Sequence, residues 1–148
     1  MADQAIERTT VEAPPARCLE VVLDFERYPE WAKDVKHVEV NERDGEGRGT
    51  EVTFRTAAMG RSTTYTLAYE YADDPTRVEW KLVDGDIMRQ LDGAYELAPA
   101  DGDADRTEVT YELTVELVIP LPNFVKNRGR SRIMHTALRE LKARAETS

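Results

Sequence analysis

The spacing of apolar positions changes twice along this chain. Gln4 to Glu12 alternates loosely, with β-branched Ile6, Thr9, Thr10 and Val11, and predicts a first strand. Ala13-Pro14-Pro15 ends it, because proline has no N–H to give a ladder, and Pro15 suits the first turn of a helix. Cys18, Leu19, Val22 and Leu23 then recur at helical spacing as far as about Asp24. A second short turn, Phe25 to Trp31, contains Tyr28-Pro29-Glu30-Trp31.

From Lys33 the period becomes two. Val35, His37, Val38 and Val40 lie in one strand, which Asp44-Gly45-Glu46-Gly47 turns round. Gly49 to Met59 sets Val52, Phe54 and Thr56 against Thr53 and Arg55, and Met59-Gly60-Arg61 makes the next turn. Thr63 to Ala72 puts Tyr65, Leu67, Tyr69 and Tyr71 on one face before Asp73-Asp74-Pro75 turns again. Val78, Trp80 and Leu82 follow, then the hairpin signal Asp84-Gly85-Asp86. Leu91, Gly93, Tyr95 and Leu97 share the next face, and Asp101 to Asp105 reads as a polar loop. Val109, Tyr111, Leu113, Val115, Leu117 and Ile119 alternate against Thr110, Glu112, Thr114 and Glu116 in the clearest strand of all.

Pro120-Leu121-Pro122 stops that strand, and Asn123 is a candidate N-cap for a helix running to Glu146, about 36 Å at 1.5 Å per residue. Phe124, Asn127, Ser131, Met134, Leu138, Leu141 and Ala145 fall on one face of it. The polar breaks at Asn127 and Ser131 suit a helix that packs at one end and lies over a hollow at the other. Six strands joined by short turns make an antiparallel meander, and the N-terminal strand brings the sheet to seven. One sheet face needs a cover, and the last helix is the element long enough to supply it. The predicted class is α+β, in a single domain over residues 1–148.

Charge adds an asymmetry. Beyond residue 122, Lys126, Arg128, Arg130, Arg132, Arg139, Lys142 and Arg144 face only Glu140 and Glu146, a balance of +5 that leaves −14 on the rest of a chain totalling −9. An acidic body argues against nucleic acid as partner. The basic helix either complements an acidic sheet or makes weak peripheral contact with an anionic membrane or ligand. No apolar run reaches the ~20 residues of a membrane span, and Met1-Ala2-Asp3-Gln4 does not begin a secretory leader, so a cytoplasmic location is expected. The single Cys18 sits in an apolar run and reads as a buried small hydrophobe. A monomer and a homodimer fit equally.

Catalytic signatures are sparse. The chain has no Gly-x-Ser-x-Gly, phosphate loop, His-Glu-x-x-His or cysteine pair, so no cofactor and no metal is expected. Asp101, Asp103, Asp105 and Glu112 imitate calcium-loop spacing, but Arg106 stands where that loop needs glycine, and a hairpin loop is the better reading. His37 reads as a surface strand residue, and His135 lies beside the helix stripe, within reach of a cavity rim as a general base.

The order β-α-α, six antiparallel strands and a long helix resembles the helix-grip fold. Ala13-Pro14-Pro15, Tyr28-Pro29-Glu30-Trp31, Gly47-Arg48-Gly49-Thr50 and Pro120-Leu121-Pro122 are similar to landmarks of bacterial members of the START-like (SRPBCC) superfamily, over essentially the whole chain. This superfamily includes polyketide cyclases, coenzyme Q-binding START proteins and the birch-pollen allergen. The resemblance implies a curved sheet and a long C-terminal helix enclosing a hydrophobic cavity. The candidate lining is Trp31 at the mouth, with Phe54, Leu67, Tyr69, Trp80, Leu91, Tyr95, Tyr111, Leu113, Phe124, Ser131 and Met134. The same aromatics would fill a solid core, but the polar handles of tyrosine and tryptophan favour a hollow. The implied function is binding of a lipid, quinone or polyketide-like molecule. The alternative is an aromatase/cyclase or dehydratase drawing on Tyr69, Tyr95, Arg89 or His135.

Overall fold

The computed structural model describes residues 4–58, 61–71, 76–119 and 121–147. The turns expected at Met59-Gly60 and Asp73-Asp74-Pro75, and Pro120 itself, lie outside them. Strand β1 (Gln4–Val11) leads to α1 (Pro15–Leu23), a 3-10 turn (Phe25–Arg27) and α2 (Tyr28–Trp31). The meander follows as β2 (Val35–Arg43), β3 (Gly49–Ala58), β4 (Arg61–Tyr71), β5 (Arg77–Gly85), β6 (Met88–Ala100) and β7 (Asp103–Leu117), and α3 (Asn123–Ala145) closes the chain. All neighbours are antiparallel in the order β1-β7-β6-β5-β4-β3-β2. This is the helix-grip arrangement, α+β. Register shifts in β2, between Thr66 and Leu67, and between Met88 and Gln90 are the irregularities that bend such a sheet. Among the described residues, no helix is long and apolar enough to cross a membrane.

The dry core gathers where α1, β1, β7 and the C-terminal half of α3 meet. Val11, Cys18, Val22, Val109, Leu138 and Leu141 are all buried there. Burial pushes the Cys18 thiol above its ordinary range, as an unreactive core cysteine requires. Polar ties hold the same end of α3. Arg17 donates to the carbonyls of Arg144 at 3.2 Å, Ala145 at 3.3 Å and Thr147 at 2.9 Å, tying α1 to the C-terminal end of α3. Lys142 donates to the Thr10 carbonyl at 2.8 Å, and the Glu146 carboxylate accepts the Glu12 N–H at 2.8 Å.

Two local expectations change. The polar loop over Asp101 to Asp105 is a two-residue turn: β7 already begins at Asp103, paired with Ala100. Asp101 (φ 50°) and Gly102 (φ 76°) are both left-handed, as the mirror-image hairpin turn demands. Asp103, Asp105 and Glu112 therefore lie along one extended strand, which cannot curl round a calcium ion. Asn123 is the first helical residue, and the cap is Pro122, whose carbonyl accepts the N–H groups of Val125 at 3.0 Å and Lys126 at 3.1 Å.

Candidate functional site: an aromatic cavity under the long helix

Between the inner sheet face and the N-terminal half of α3 lies a cavity of about 890 Å³, the size class of small-molecule sites. Alternation builds its floor. Phe54 on β3, Leu67 and Tyr69 on β4, Trp80 on β5, Leu91 and Tyr95 on β6, and Tyr111 and Leu113 on β7 all line it. Trp31 and Tyr28 enter from α2. Their rings form a near-continuous aromatic surface. Trp31 meets Tyr28 at 4.9 Å between centroids, Tyr28 meets Phe54 at 5.9 Å, and Phe54 stacks on Tyr65 at 5.5 Å. Trp80 contacts Tyr69 at 5.9 Å, Tyr95 at 5.3 Å and Tyr111 at 5.8 Å.

Gly93 makes room for that indole. It pairs with Trp80 across the β5–β6 ladder, and a Cβ built on it would stand 2.6 Å from Trp80 Cζ2 and 2.4 Å from the Glu112 carbonyl oxygen. Only glycine permits so close an approach between side chain and backbone.

The tyrosine hydroxyls divide into two groups. Tyr28 donates to the Val22 carbonyl, and Tyr65 bonds the Thr56 side chain. Tyr71 follows Tyr69 on the same strand face, but its hydroxyl donates to the Gly49 carbonyl and the Arg48 guanidinium covers its ring at 4.7 Å. Among the described residues, the hydroxyls of Tyr69, Tyr95 and Tyr111 have no protein partner, and none is sealed off from open space. Burial pushes the Tyr65 hydroxyl up to about 12 and raises those of Tyr69, Tyr95 and Tyr111. All four stay protonated at neutral pH, so Tyr69, Tyr95 and Tyr111 offer hydrogen-bond donors to whatever occupies the cavity.

The helix presents a different face from the one its apolar stripe suggests. Met134 is 1% exposed, in the dry core with Leu138, Leu141 and Ala145. Asn127 of the stripe does line the cavity, but most of the helix wall is Lys126, Gly129, Ile133, Thr136 and Ala137, roughly 120° further round the helix at 100° per residue. Of the sequence candidates, Trp31, Phe54, Leu67, Tyr69, Trp80, Leu91, Tyr95, Tyr111 and Leu113 converge on the cavity. Phe124, Ser131 and Met134 do not line it: Phe124 is 67% exposed, and Ser131 Oγ lies 3.4 Å from His135 Nδ1. His135 lies on the side of α3 that faces β1, its Nε2 3.1 Å from a Glu7 carboxylate oxygen. Arg89 is also outside the lining, on an exposed strand position 3.8 Å from Glu116. Tyr28 and Tyr65 also line the cavity, as do Val115, Leu117 and Ile119, which continue the β7 alternation.

The antiparallel sheet, the long helix laid across it and the aromatic hollow between them define a START-like protein. The family model described as polyketide cyclase / dehydrase and lipid transport matches residues 3–146, and the chain belongs to that family. Among solved structures, a START superfamily protein from Mycobacterium smegmatis superposes with a TM-score of 0.89 at 22% identity, covering 97% of each chain. The Zhui aromatase/cyclase from Streptomyces sp. R1128 gives 0.83 at 17% identity, covering 99% of this chain and 94% of that one. A STAR-related lipid transfer protein from Xanthomonas axonopodis gives 0.74 at 19% identity, covering 97% and 86%. At these identities the likeness is one of fold. No curated protein matches the sequence.

Proposed function

We propose that this protein binds a hydrophobic small molecule, in the class of a lipid, quinone or polyketide, in the cavity between the sheet and α3. The observation that carries this reading is the 890 Å³ hollow walled by aromatic rings, with three tyrosine hydroxyls that have no protein partner among the described residues. A ring compound bearing oxygen atoms would use both features: faces against Trp80 and Tyr111, and acceptors against Tyr69, Tyr95 and Tyr111.

Carriage without chemistry is the favoured form. His135 and Arg89, two of the four side chains considered for acid-base work, lie off the cavity. Burial keeps the Tyr69 and Tyr95 hydroxyls protonated at neutral pH, so they donate hydrogen bonds and present no phenolate to take a proton. The second reading, a cyclase or dehydratase, keeps those two hydroxyls as groups that would polarise a carbonyl, and positioning by the cavity would supply the rest.

Thermal unfolding in the presence of fatty acids, isoprenoid quinones and aromatic polyketides tests the reading. A ligand at about 100 times its Kd adds about 2.7 kcal/mol, which for a chain of this size raises Tm by roughly 5–10 °C. A panel in which no compound raises Tm would count against binding. Conversion of a bound polyketide, lost in Tyr69→Phe with its affinity retained, would move the assignment to the enzyme.

A further inference from the structure

The cavity is apolar in its depth, but its rim is cationic. Arg61 on β4 and Lys126, Arg130 and Arg132 on α3 all border it, in a chain whose net charge is −9. Acidic partners are plentiful elsewhere, and the C-terminal end of the same helix uses them: Lys142 pairs with Glu146 at 2.6 Å and Arg144 with Glu30 at 3.2 Å. Among the described residues, Arg61, Lys126 and Arg132 have no hydrogen-bond or ion-pair partner, and Arg130 donates to Asn127 Oδ1 at 3.2 Å. Two carboxylates also border the cavity. Glu140 accepts the Lys33 N–H at 3.1 Å and stands two turns beyond Arg132, and Asp34 lies next to that lysine. The rim therefore keeps a surplus of positive charge beside an apolar interior.

We propose that the cavity ligand is an anionic amphiphile, with a carboxylate, sulfonate or phosphate that Lys126 and Arg132 hold at the rim while its rings or chain fill the hollow. Arg61 faces the same opening and adds to the attraction. The inference rests on the cavity-binding reading above and specifies the charge of what is bound. An anion at the rim gains partners that the fold leaves open, and no internal ion pair has to be broken to receive it. A neutral ligand of the same shape would leave the surplus charge uncompensated.

The test uses two fluorescent probes that differ by one sulfonate, 8-anilinonaphthalene-1-sulfonate and neutral N-phenyl-1-naphthylamine. Both are titrated at low ionic strength against the wild type, against Lys126→Gln with Arg132→Gln, and against Arg128→Gln with Arg139→Gln. The last pair removes the same charge from the same helix at positions that do not border the cavity. Two partly exposed charge pairs set a preference of about tenfold for the sulfonate, about 1.4 kcal/mol. The wild type is expected to show that ratio and to lose it as salt rises. The rim variant should bring the ratio near one, and the control variant should retain most of it. Equal binding of the two probes by the wild type would overturn the anionic preference and leave the cavity reading standing. An unchanged ratio in the rim variant, or an equal loss in the control, would overturn the assignment to Lys126 and Arg132. Binding of neither probe would remove the cavity reading and this inference with it.

Discussion

Replacing alanine by phenylalanine at two positions of α3 separates a hollow from a filled core by the sign of the stability change. Ala137 borders the cavity, and Ala145, two turns on, is 4% exposed within the dry core. Both substitutions cost the helix about 0.5 kcal/mol of propensity. At residue 145 the ring has no room, and overpacking adds about 1–3 kcal/mol of destabilisation. At residue 137 it enters an open space of about 890 Å³, where burying a phenyl ring returns about 1.5–3 kcal/mol less the cost of fixing its rotamers. Ala137→Phe should therefore be neutral or stabilising by up to about 1 kcal/mol, and Ala145→Phe destabilising by about 2–3 kcal/mol. At 2–4 °C per kcal/mol the two variants should differ in Tm by roughly 5–15 °C. Calorimetry and urea unfolding with unchanged m values would read this directly. Equal destabilisation of the two would refute the hollow, because a packed interior penalises both rings alike.

Gly93→Ala should cost about 1–3 kcal/mol and redshift or quench tryptophan fluorescence, since its Cβ would collide with Trp80 and with the Glu112 carbonyl; a variant with native Tm and spectrum would contradict the glycine's role. Acid should weaken the fold through Glu112, whose carboxylate the Arg77 guanidinium holds below its ordinary range, with Nη1 3.0 Å from Oε2. A depressed folded pKa means that this contribution is whole above pH ~4.3 and is lost as pH falls through the folded value. Stability of Glu112→Gln should accordingly decline less steeply than wild type below about pH 4, and parallel curves would remove the pair from the acid response.

Legibility followed how local each determinant is. The β7 face, Val109 to Ile119, and the β4 face, Tyr65 to Tyr71, state their own period, so seven strands and most of the cavity floor follow from alternation. The Asp101-Gly102 turn was also written locally; Asp-Gly is a mirror-image hairpin signal, and the neighbouring aspartates disguised it as a longer loop. The helix face was harder. The stripe through Met134, Leu138 and Leu141 identifies what touches the dry core, whereas Val125, Gly129, Ile133 and Ala137 make a second apolar row at every fourth residue, which glycine, alanine and the basic residues between them disguise. His135 opposite Glu7 and Arg17 over the end of α3 depend on contacts more than a hundred residues apart, which no window of sequence carries.

The space between sheet and helix should hold a molecule. Native mass spectrometry of the purified protein, followed by solvent extraction of what is released, measures it most directly. The expected result is a discrete adduct on the order of a few hundred daltons, the class such cavities hold, displaced by the naphthylamine probe. An apo mass in every preparation, together with a wild type that takes up neither probe, would contradict it.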